Sequence, residues 1–331
     1  SLGIFSKDFL DYLQDFKFTG DIYAIPEGTV VFPREPLVKV IAPIMQAQLV
    51  ETAILNIINH QSLIATKAAR VCYAAHGDGI MEFGLRRAQG PDAGTYGARA
   101  AVIGGCIGTS NVLCGQLFDV PVKGTHAHSW IMSFPDEYTA FKTYADMYPS
   151  ACILLVDTYD TLKSGVPNAI RVFTEMRKAG IPLSFYGIRL DSGDLAYLSK
   201  KARKMLDDAG FPDAVISASN DLDEFLIQSL KEQGAAITSW GVGTHLITSK
   251  DCPSFGGVYK LAAIMGADGR FIPKIKLSEN SEKVTNPGNK TIYRVYEKET
   301  GKVKADLICL VEETFDENEP LLLFDPNEPW K

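Results

Sequence analysis

Between Asp21 and Pro43 the apolar residues fall in short runs broken by turn formers. The runs are Ile22-Tyr23-Ala24, Thr29-Val30-Val31-Phe32 and Leu37-Val38-Lys39-Val40-Ile41, with Pro26-Glu27-Gly28 between the first two. Short β-branched runs bounded by Pro and Gly predict three strands. From Ile44 to His76 the period changes: Leu49, Ala53, Ile54, Ile57 and Ile58 recur at helical spacing, which predicts one long helix or two. After Gly77 short apolar strands alternate with helices, and each strand ends in a polar turn. A strand at 79–83 comes first. Residues 152–156 lead through Asp157-Thr158-Tyr159-Asp160 to a helix ending at Ala179, and 183–188 lead through Arg189-Leu190-Asp191-Ser192-Gly193-Asp194 to one ending at Ala209. Residues 214–217 lead through Ala218-Ser219-Asn220-Asp221 to a helix ending at Gln233, and 237–240 lead into Gly241-Val242-Gly243-Thr244-His245. Repeated βα units predict an α/β fold with a parallel sheet, open or closed into a barrel.

Near Val284 the composition shifts again. Thr291-Ile292-Tyr293-Arg294-Val295-Tyr296 and Leu307-Ile308-Cys309-Leu310-Val311 read as strands flanking a Glu299-Thr300-Gly301 turn. This tail is expected to return and pair with the β-rich start. The expected division is therefore a smaller discontinuous domain, 1–76 with 284–331, around a catalytic domain at 77–283. The last residues are acidic and proline-rich and are expected to be exposed.

Composition narrows the function. A net charge of −7 over 331 residues lacks the basic face of a nucleic-acid binder, but leaves room for a phosphorylated small molecule held by a few local cations. No segment approaches the roughly 20 consecutive apolar residues of a membrane helix. No signal peptide is visible, so the expected location is cytoplasmic. The six cysteines show no C-x-x-C spacing and read as buried thiols in a reducing compartment. A start at Ser1 rather than Met, and a stop at Pro329-Trp330-Lys331, predict that both ends are cut.

The candidate chemistry follows the strand ends, where parallel βα folds gather their functional loops. Arg189 with Asp191, Ser192, Gly193 and Asp194 lies at one such end, and Asp157 and Asp160 at another. Ser219, Asn220 and Asp221 lie at a third, and Gly241, Gly243 and Thr244 at a fourth. Ser, Asp, Asn and Gly also cap helices and make turns, so each has a purely structural alternative. The Gly241-Val242-Gly243-Thr244 loop suits a single phosphate, although it lacks the Gly-Lys-Ser/Thr ending of a P-loop. Arg189 offers a planar fork for a carboxylate or phosphate, the alternative being an ion pair with Asp191 or Asp194. Arg86, Arg87 and Gln89 follow the strand at 79–83, and Thr109-Ser110-Asn111 begins a helix. In Gly124-Thr125-His126-Ala127-His128-Ser129-Trp130, two of the five histidines stand two apart. On a strand they would face one side and could ligate a metal, as in a metal-dependent barrel hydrolase. The other readings are a structural pair and a catalytic histidine acting as nucleophile or general base.

Six ordered pieces of this chain resemble the nicotinate phosphoribosyltransferase family. They are Phe83-Gly84-Leu85-Arg86-Arg87-Ala88-Gln89-Gly90, Gly108-Thr109-Ser110-Asn111-Val112-Leu113, Gly124-Thr125-His126-Ala127-His128-Ser129, Gly187-Ile188-Arg189-Leu190-Asp191-Ser192-Gly193-Asp194, Gly241-Val242-Gly243-Thr244 and Gly256-Gly257-Val258-Tyr259-Lys260-Leu261. The resemblance implies a type II phosphoribosyltransferase fold, an irregular parallel α/β barrel beside a smaller α/β domain built from both chain ends. It implies conversion of nicotinate and phosphoribosyl pyrophosphate to nicotinate mononucleotide and pyrophosphate, with ATP as co-substrate. Within the family motif His128 matches the histidine that ATP phosphorylates, whereas His126 falls at a variable position. Thr125 and Arg189 match residues that hold the pyridine acid, and Thr244 matches one at the sugar-phosphate site. With these we place Ser110 and Arg87 at the nicotinate site, and Asp191, Ser192, Gly193, Asn220, Gly241 and Gly243 around the phosphoribosyl group. Mg²⁺ is the implied metal, bound by Asp191, Asp194 or Asp157 directly or through water; zinc, haem and flavin are not expected. The amide-using relatives carry an acidic residue where this chain has Ser110, which favours the acid substrate. The family also implies a homodimer with a shared active site, and an aromatic from a longer amino-terminal segment that no residue of this chain matches.

Overall fold

The computed structural model describes residues 3–277, 279, 284, 286–316 and 318–322. The chain forms two compact units that divide at Leu55/Asn56 and at Gly256/Gly257. The expected boundaries lay at 76 and 284. The first differs because helical spacing does not reveal which end of a helix packs where: the division falls inside a helix whose buried residues, Ile64, Lys67, Ala68, Val71 and Ala74, all lie in its later part.

The smaller unit opens with helix α1 (Lys7–Gln14), capped by Ser6, and strands β1 (Asp21–Ala24) and β2 (Val38–Ile41), which pair antiparallel. The expected strand at Thr29-Val30-Val31-Phe32 does not form. The Ile25 N–H bonds the Leu37 carbonyl at 3.1 Å, so the ladder closes across this run and leaves it as an exposed connection ending at Pro33. Helix α2 (Ile44–Leu49) follows, then α3 (Glu51–Ala74), so the helical stretch is two helices.

The larger unit is a curled six-stranded parallel sheet with helices between its strands. In chain order these are β3 (Gly79–Glu82), α4 (Pro91–Ile103), β4 (Gly108–Thr109), α5 (Val112–Phe118), α6 (His128–Met132), α7 (Glu137–Met147) and β5 (Cys152–Leu155). Then come a π-helical turn (Thr161–Gly165), α8 (Val166–Lys178), β6 (Tyr186–Leu190), α9 (Leu195–Asp208), β7 (Val215–Asn220), α10 (Glu224–Glu232), β8 (Ser239–Val242) and α11 (Thr244–Ile247). The strand order is β4-β3-β8-β7-β6-β5. Strands covered on both faces read as near-continuous apolar runs, and Leu154, Ile188, Leu190, Ala218, Trp240 and Val242 are fully buried. Each such leucine, isoleucine or valine contributes roughly 1.5–3 kcal/mol by burial. Phe173, Tyr186 and Phe211 add mutual edge-on contacts at 5.0–6.0 Å. Aspartates begin several helices: Asp136, Asp194 and Asp223 accept the N–H of the third residue onward, capping α7, α9 and α10.

The chain then returns to the smaller unit with hairpins β9 (Ala263–Met265)–β10 (Phe271–Pro273) and β11 (Lys290–Tyr296)–β12 (Val303–Leu310). The second matches the expected strands around Glu299-Thr300-Gly301. Its expected pairing with the β-rich start is not a strand ladder: β1–β2 and β11–β12 are separate two-stranded sheets, with Lys39 Nζ donating to the Lys290 carbonyl at 3.2 Å. The tail Pro329-Trp330-Lys331 lies outside the described residues. Among the described residues no helix is long and apolar enough to cross a membrane. All six cysteines are free; Cys106, Cys114, Cys152 and Cys309 are buried, but Cys252 is exposed, against the expectation that all would be buried thiols.

Candidate active site

The carboxyl ends of β5, β6, β7 and β8 carry one polar cluster, because parallel strands present their last residues on the same edge. Arg189, near the end of β6, is its hub. Its Nε donates to Ser219 Oγ at 2.8 Å, one terminal nitrogen to Thr125 Oγ1 at 2.7 Å and the other to Asp191 Oδ1 at 2.9 Å. These bonds use three of the five guanidinium N–H groups and leave one on each terminal nitrogen for a planar acid. The guanidinium carbon lies 5.7 Å from the centre of the Phe83 ring. Ser219 also donates to Asp191 Oδ1. Burial pushes the Asp191 carboxyl up, but Ser219 and Arg189 outweigh it and hold it below its ordinary range.

His128 stands beside this hub, at the start of α6. Its Nδ1 lies 3.1 Å from Thr158 Oγ1, and its Nε2 lies 3.7 Å from Asp191 Oδ2 and 3.9 Å from Asp157 Oδ1. The Asp157 side chain is 2 % exposed against 39 % for His128, so the imidazole is the reachable partner of a buried carboxylate. Asp157 Oδ2 accepts the Asp191 N–H at 2.8 Å and the Ser192 hydroxyl at 2.7 Å, while Oδ1 is buried with no hydrogen-bond partner.

The two histidines of the H-x-H pair do not face one side, because Ala127 is the residue before α6 and the pair spans a loop-to-helix junction rather than a strand. His126 turns inward, its Nε2 accepting the Leu155 N–H at 3.4 Å and its ring edge-on to Tyr144 at 4.6 Å. Burial, reinforced by the Arg189 charge, pushes its pKa down to about 4. Among the described residues no three His, Cys, Asp or Glu side chains converge as a metal-binding group.

The other sequence candidates divide. Asn220, at the end of β7, adopts φ 126°, a left-handed backbone that asparagine tolerates only at a cost, as at strained functional positions. Gly241 pairs with Ser219 across β7 and β8, and a Cβ there would run into the Phe83 ring. Gly243 and Thr244 follow at the same edge, and Gly193 takes φ 78° in the turn after Asp191. Asp194 caps α9, its Oδ1 accepting the Tyr197 N–H at 2.9 Å. Arg87 is exposed in a 3-10 turn (Leu85–Arg87), and the Ser110 N–H bonds the Glu82 carbonyl at 3.0 Å; neither side chain joins the Arg189 cluster.

Two contributors escaped the sequence reading. Thr158, the partner of His128, is signalled only by its place after Asp157. Glu82, 0 % exposed on β3, accepts the Gly84 N–H and the Thr109 hydroxyl, the latter at 2.6 Å, and burial raises its pKa. It ties β3 to β4 through Thr109; an acid inside an otherwise apolar strand was the available signal.

Known proteins share the sequence and fold of this chain. Residues 79–298 match the model of the nicotinate phosphoribosyltransferase (NAPRTase) family, residues 1–59 its N-terminal domain and residues 289–331 its C-terminal domain. A nicotinate phosphoribosyltransferase of Bacillus subtilis is 53 % identical over 97 % of this chain and 65 % of its own length. The Homo sapiens nicotinate phosphoribosyltransferase is 34 % identical over 88 % of this chain and 63 % of its own. This chain thus spans less than two thirds of either relative. The crystal structure of human nicotinic acid phosphoribosyltransferase superposes with TM-score 0.79 at 31 % identity, covering 94 % of this chain and 68 % of that one. A nicotinate-nucleotide pyrophosphorylase structure from Pyrococcus furiosus gives TM-score 0.69 at 25 % identity, over 90 % of this chain and 70 % of that one.

Proposed function

We propose that this chain, which belongs to the nicotinate phosphoribosyltransferase family, transfers the phosphoribosyl group of phosphoribosyl pyrophosphate to nicotinate, giving nicotinate mononucleotide and pyrophosphate with coupled ATP hydrolysis. The observation that carries this reading is the convergence of Arg189, Thr125, Ser219 and Asp191 beside His128 on one strand edge.

Each residue has a role that its chemistry fits. The two spare N–H groups of Arg189 fork the nicotinate carboxylate, and Thr125 orients that fork. Phe83 provides an aromatic face beside it. Asn220 and the loop Gly241, Gly243 and Thr244 take the phosphoribosyl group, with Ser192 and Gly193 beside the pyrophosphate. Glycosyl transfer passes through an oxocarbenium-like state, so fixed position and fixed negative charge stabilise it. Asp191 is held ionised there by Arg189 and Ser219.

His128 receives the γ-phosphoryl group of ATP on Nε2, since Nδ1 is engaged by Thr158 and Nε2 faces the two carboxylates. In that step the Nε2 lone pair forms the N–P bond as the bond to the β-phosphate oxygen breaks, releasing ADP; water later cleaves the N–P bond. The residues fit a magnesium ion: the unpartnered buried Oδ1 of Asp157 and Oδ2 of Asp191 both face His128, and Mg²⁺ needs only one or two carboxylates alongside water and phosphates. When bound, the ion neutralises pyrophosphate charge. A cytoplasmic homodimer with a shared active site is part of the same proposal.

Incubation of the purified protein with labelled nicotinate, phosphoribosyl pyrophosphate and Mg-ATP should yield nicotinate mononucleotide, and labelled nicotinamide should yield little. Preferred conversion of nicotinamide would transfer the assignment to the amide-using relatives.

A further inference from the structure

The loops that follow β7 and β8 are joined by a side-chain relay outside the Arg189 cluster. His245, second residue of α11, has Nδ1 3.0 Å from Asp223 Oδ2 and Nε2 2.9 Å from the Lys250 ammonium. An ammonium only donates, so Nε2 accepts and the ring proton sits on Nδ1, where it goes to Asp223. Asp223 is itself fixed, because its other oxygen takes the Leu226 N–H at 2.8 Å and caps α10. The His245 and Asp223 side chains are 12 % and 19 % exposed, which shields their bond from water.

A second, deeper tie sits beside the first. Lys67 of α3, 4 % exposed, pairs with Glu224 at 2.6 Å and with Asp251. Burial pulls the Lys67 ammonium down, and the two carboxylates more than reverse that. This pair anchors the first turn of α10, next to Asp223, and the chain just after Lys250.

Asp223 lies three residues after the strained Asn220, and Thr244 immediately precedes His245. On its other flank α11 is wedged by Ile247, which fills space that a Cβ at Gly84 or Gly97 would take. The His245–Asp223 bond therefore pins the loop after β8 to the loop after β7.

We propose that His245 is a positioning residue that sets the affinity for phosphoribosyl pyrophosphate by fixing the Gly241, Gly243 and Thr244 loop against Asn220. This rests on the reading that those two loops hold the phosphoribosyl group. His245 touches no substrate in this role.

The test is calorimetric titration of Mg-phosphoribosyl pyrophosphate, and separately of nicotinate, into wild type, His245→Ala, His245→Asn, Lys250→Met and Thr244→Ala. Loss of one charge-assisted bond predicts about tenfold weaker phosphoribosyl pyrophosphate binding in His245→Ala, with nicotinate affinity changed by no more than about twofold. His245→Asn keeps a donor toward Asp223 and should recover most of the loss. Lys250→Met, an exposed change, should weaken binding by about threefold even if His245→Ala fails to fold. Wild-type affinity in both His245→Ala and Lys250→Met, or an equal loss for both ligands with early unfolding, overturns the positioning role. Weakened Thr244→Ala beside unchanged His245 variants removes only that role, whereas wild-type affinity in Thr244→Ala removes the phosphate reading beneath it.

Discussion

His128 turns its Nε2 toward Asp191, 3.7 Å from the carboxylate oxygen Oδ2. The other oxygen of the same carboxylate holds Arg189 at 2.9 Å. Asp191 thus stands between the proposed pyridine-acid site and the proposed site of phosphorylation, so that a change of charge on His128 is felt at the substrate fork through one side chain.

Arg189→Lys should raise the Michaelis constant for nicotinate by about 10- to 150-fold, equivalent to about 1.5–3 kcal/mol for a charge-assisted contact. Lysine keeps the charge but cannot reach Thr125, Ser219 and Asp191 while also forking a carboxylate. Steady-state kinetics checks this, with thermal unfolding as the control for the fold. An unchanged constant would remove Arg189 from the substrate site.

His126 gives the protein an acid-sensitive element. Its folded pKa of about 4 lies below the ordinary imidazole value of 6.5, so the unfolded chain binds the extra proton first as the pH falls. Its contribution to stability is complete above about pH 6.5 and is lost progressively down to about pH 4, up to about 3 kcal/mol by linkage. Unfolding midpoints between pH 4 and 7 should therefore fall less steeply for His126→Gln than for wild type. Parallel curves for the two proteins would show that His126 is not buried in its neutral form.

How much of this was legible in the sequence depended on the kind of signal. The β6, β7 and β8 strands run on through Arg189-Leu190, Ala218-Ser219-Asn220 and Gly241-Val242, which were expected as turns because polar and glycine residues there hide the ladder that holds them. Strand β5 was readable because Cys152–Leu155 is a continuous apolar run. Thr29-Val30-Val31-Phe32 has the same composition, yet pairing is decided by a partner, and the Ile25–Leu37 bond takes that partner away. The ion-pair alternative for Arg189 is present, and it does not exclude the proposed acid-binding role, since the pairing with Asp191 still leaves two N–H groups. At Asp194 the capping alternative is present, one carboxylate oxygen holding the start of α9. The relation of His126 to His128 was hidden because spacing alone cannot show that a helix begins between them. Thr158 and Glu82 act through residues distant in sequence, which a linear pattern does not display.

The metal requirement separates this account from the hydrolase alternative. Purified protein should contain no stoichiometric zinc, and its activity should be abolished by a chelator and restored by Mg²⁺. His126 is spent on the Leu155 N–H, which leaves the H-x-H pair without a shared ligand geometry. One tightly held zinc per chain, lost on mutating His126 and His128, would restore the hydrolase reading.

Mass spectrometry of the protein after incubation with Mg-ATP decides whether His128 carries the phosphoryl group. One acid-labile phosphate per chain should map to His128 and be absent in His128→Ala. That variant should also lose stimulation by ATP while keeping a slow ATP-independent transfer, because Arg189 and the strand-end loops still position the substrates. Phosphate mapped to His126, or ATP stimulation that survives in His128→Ala, would show that His128 is not the phosphorylated residue.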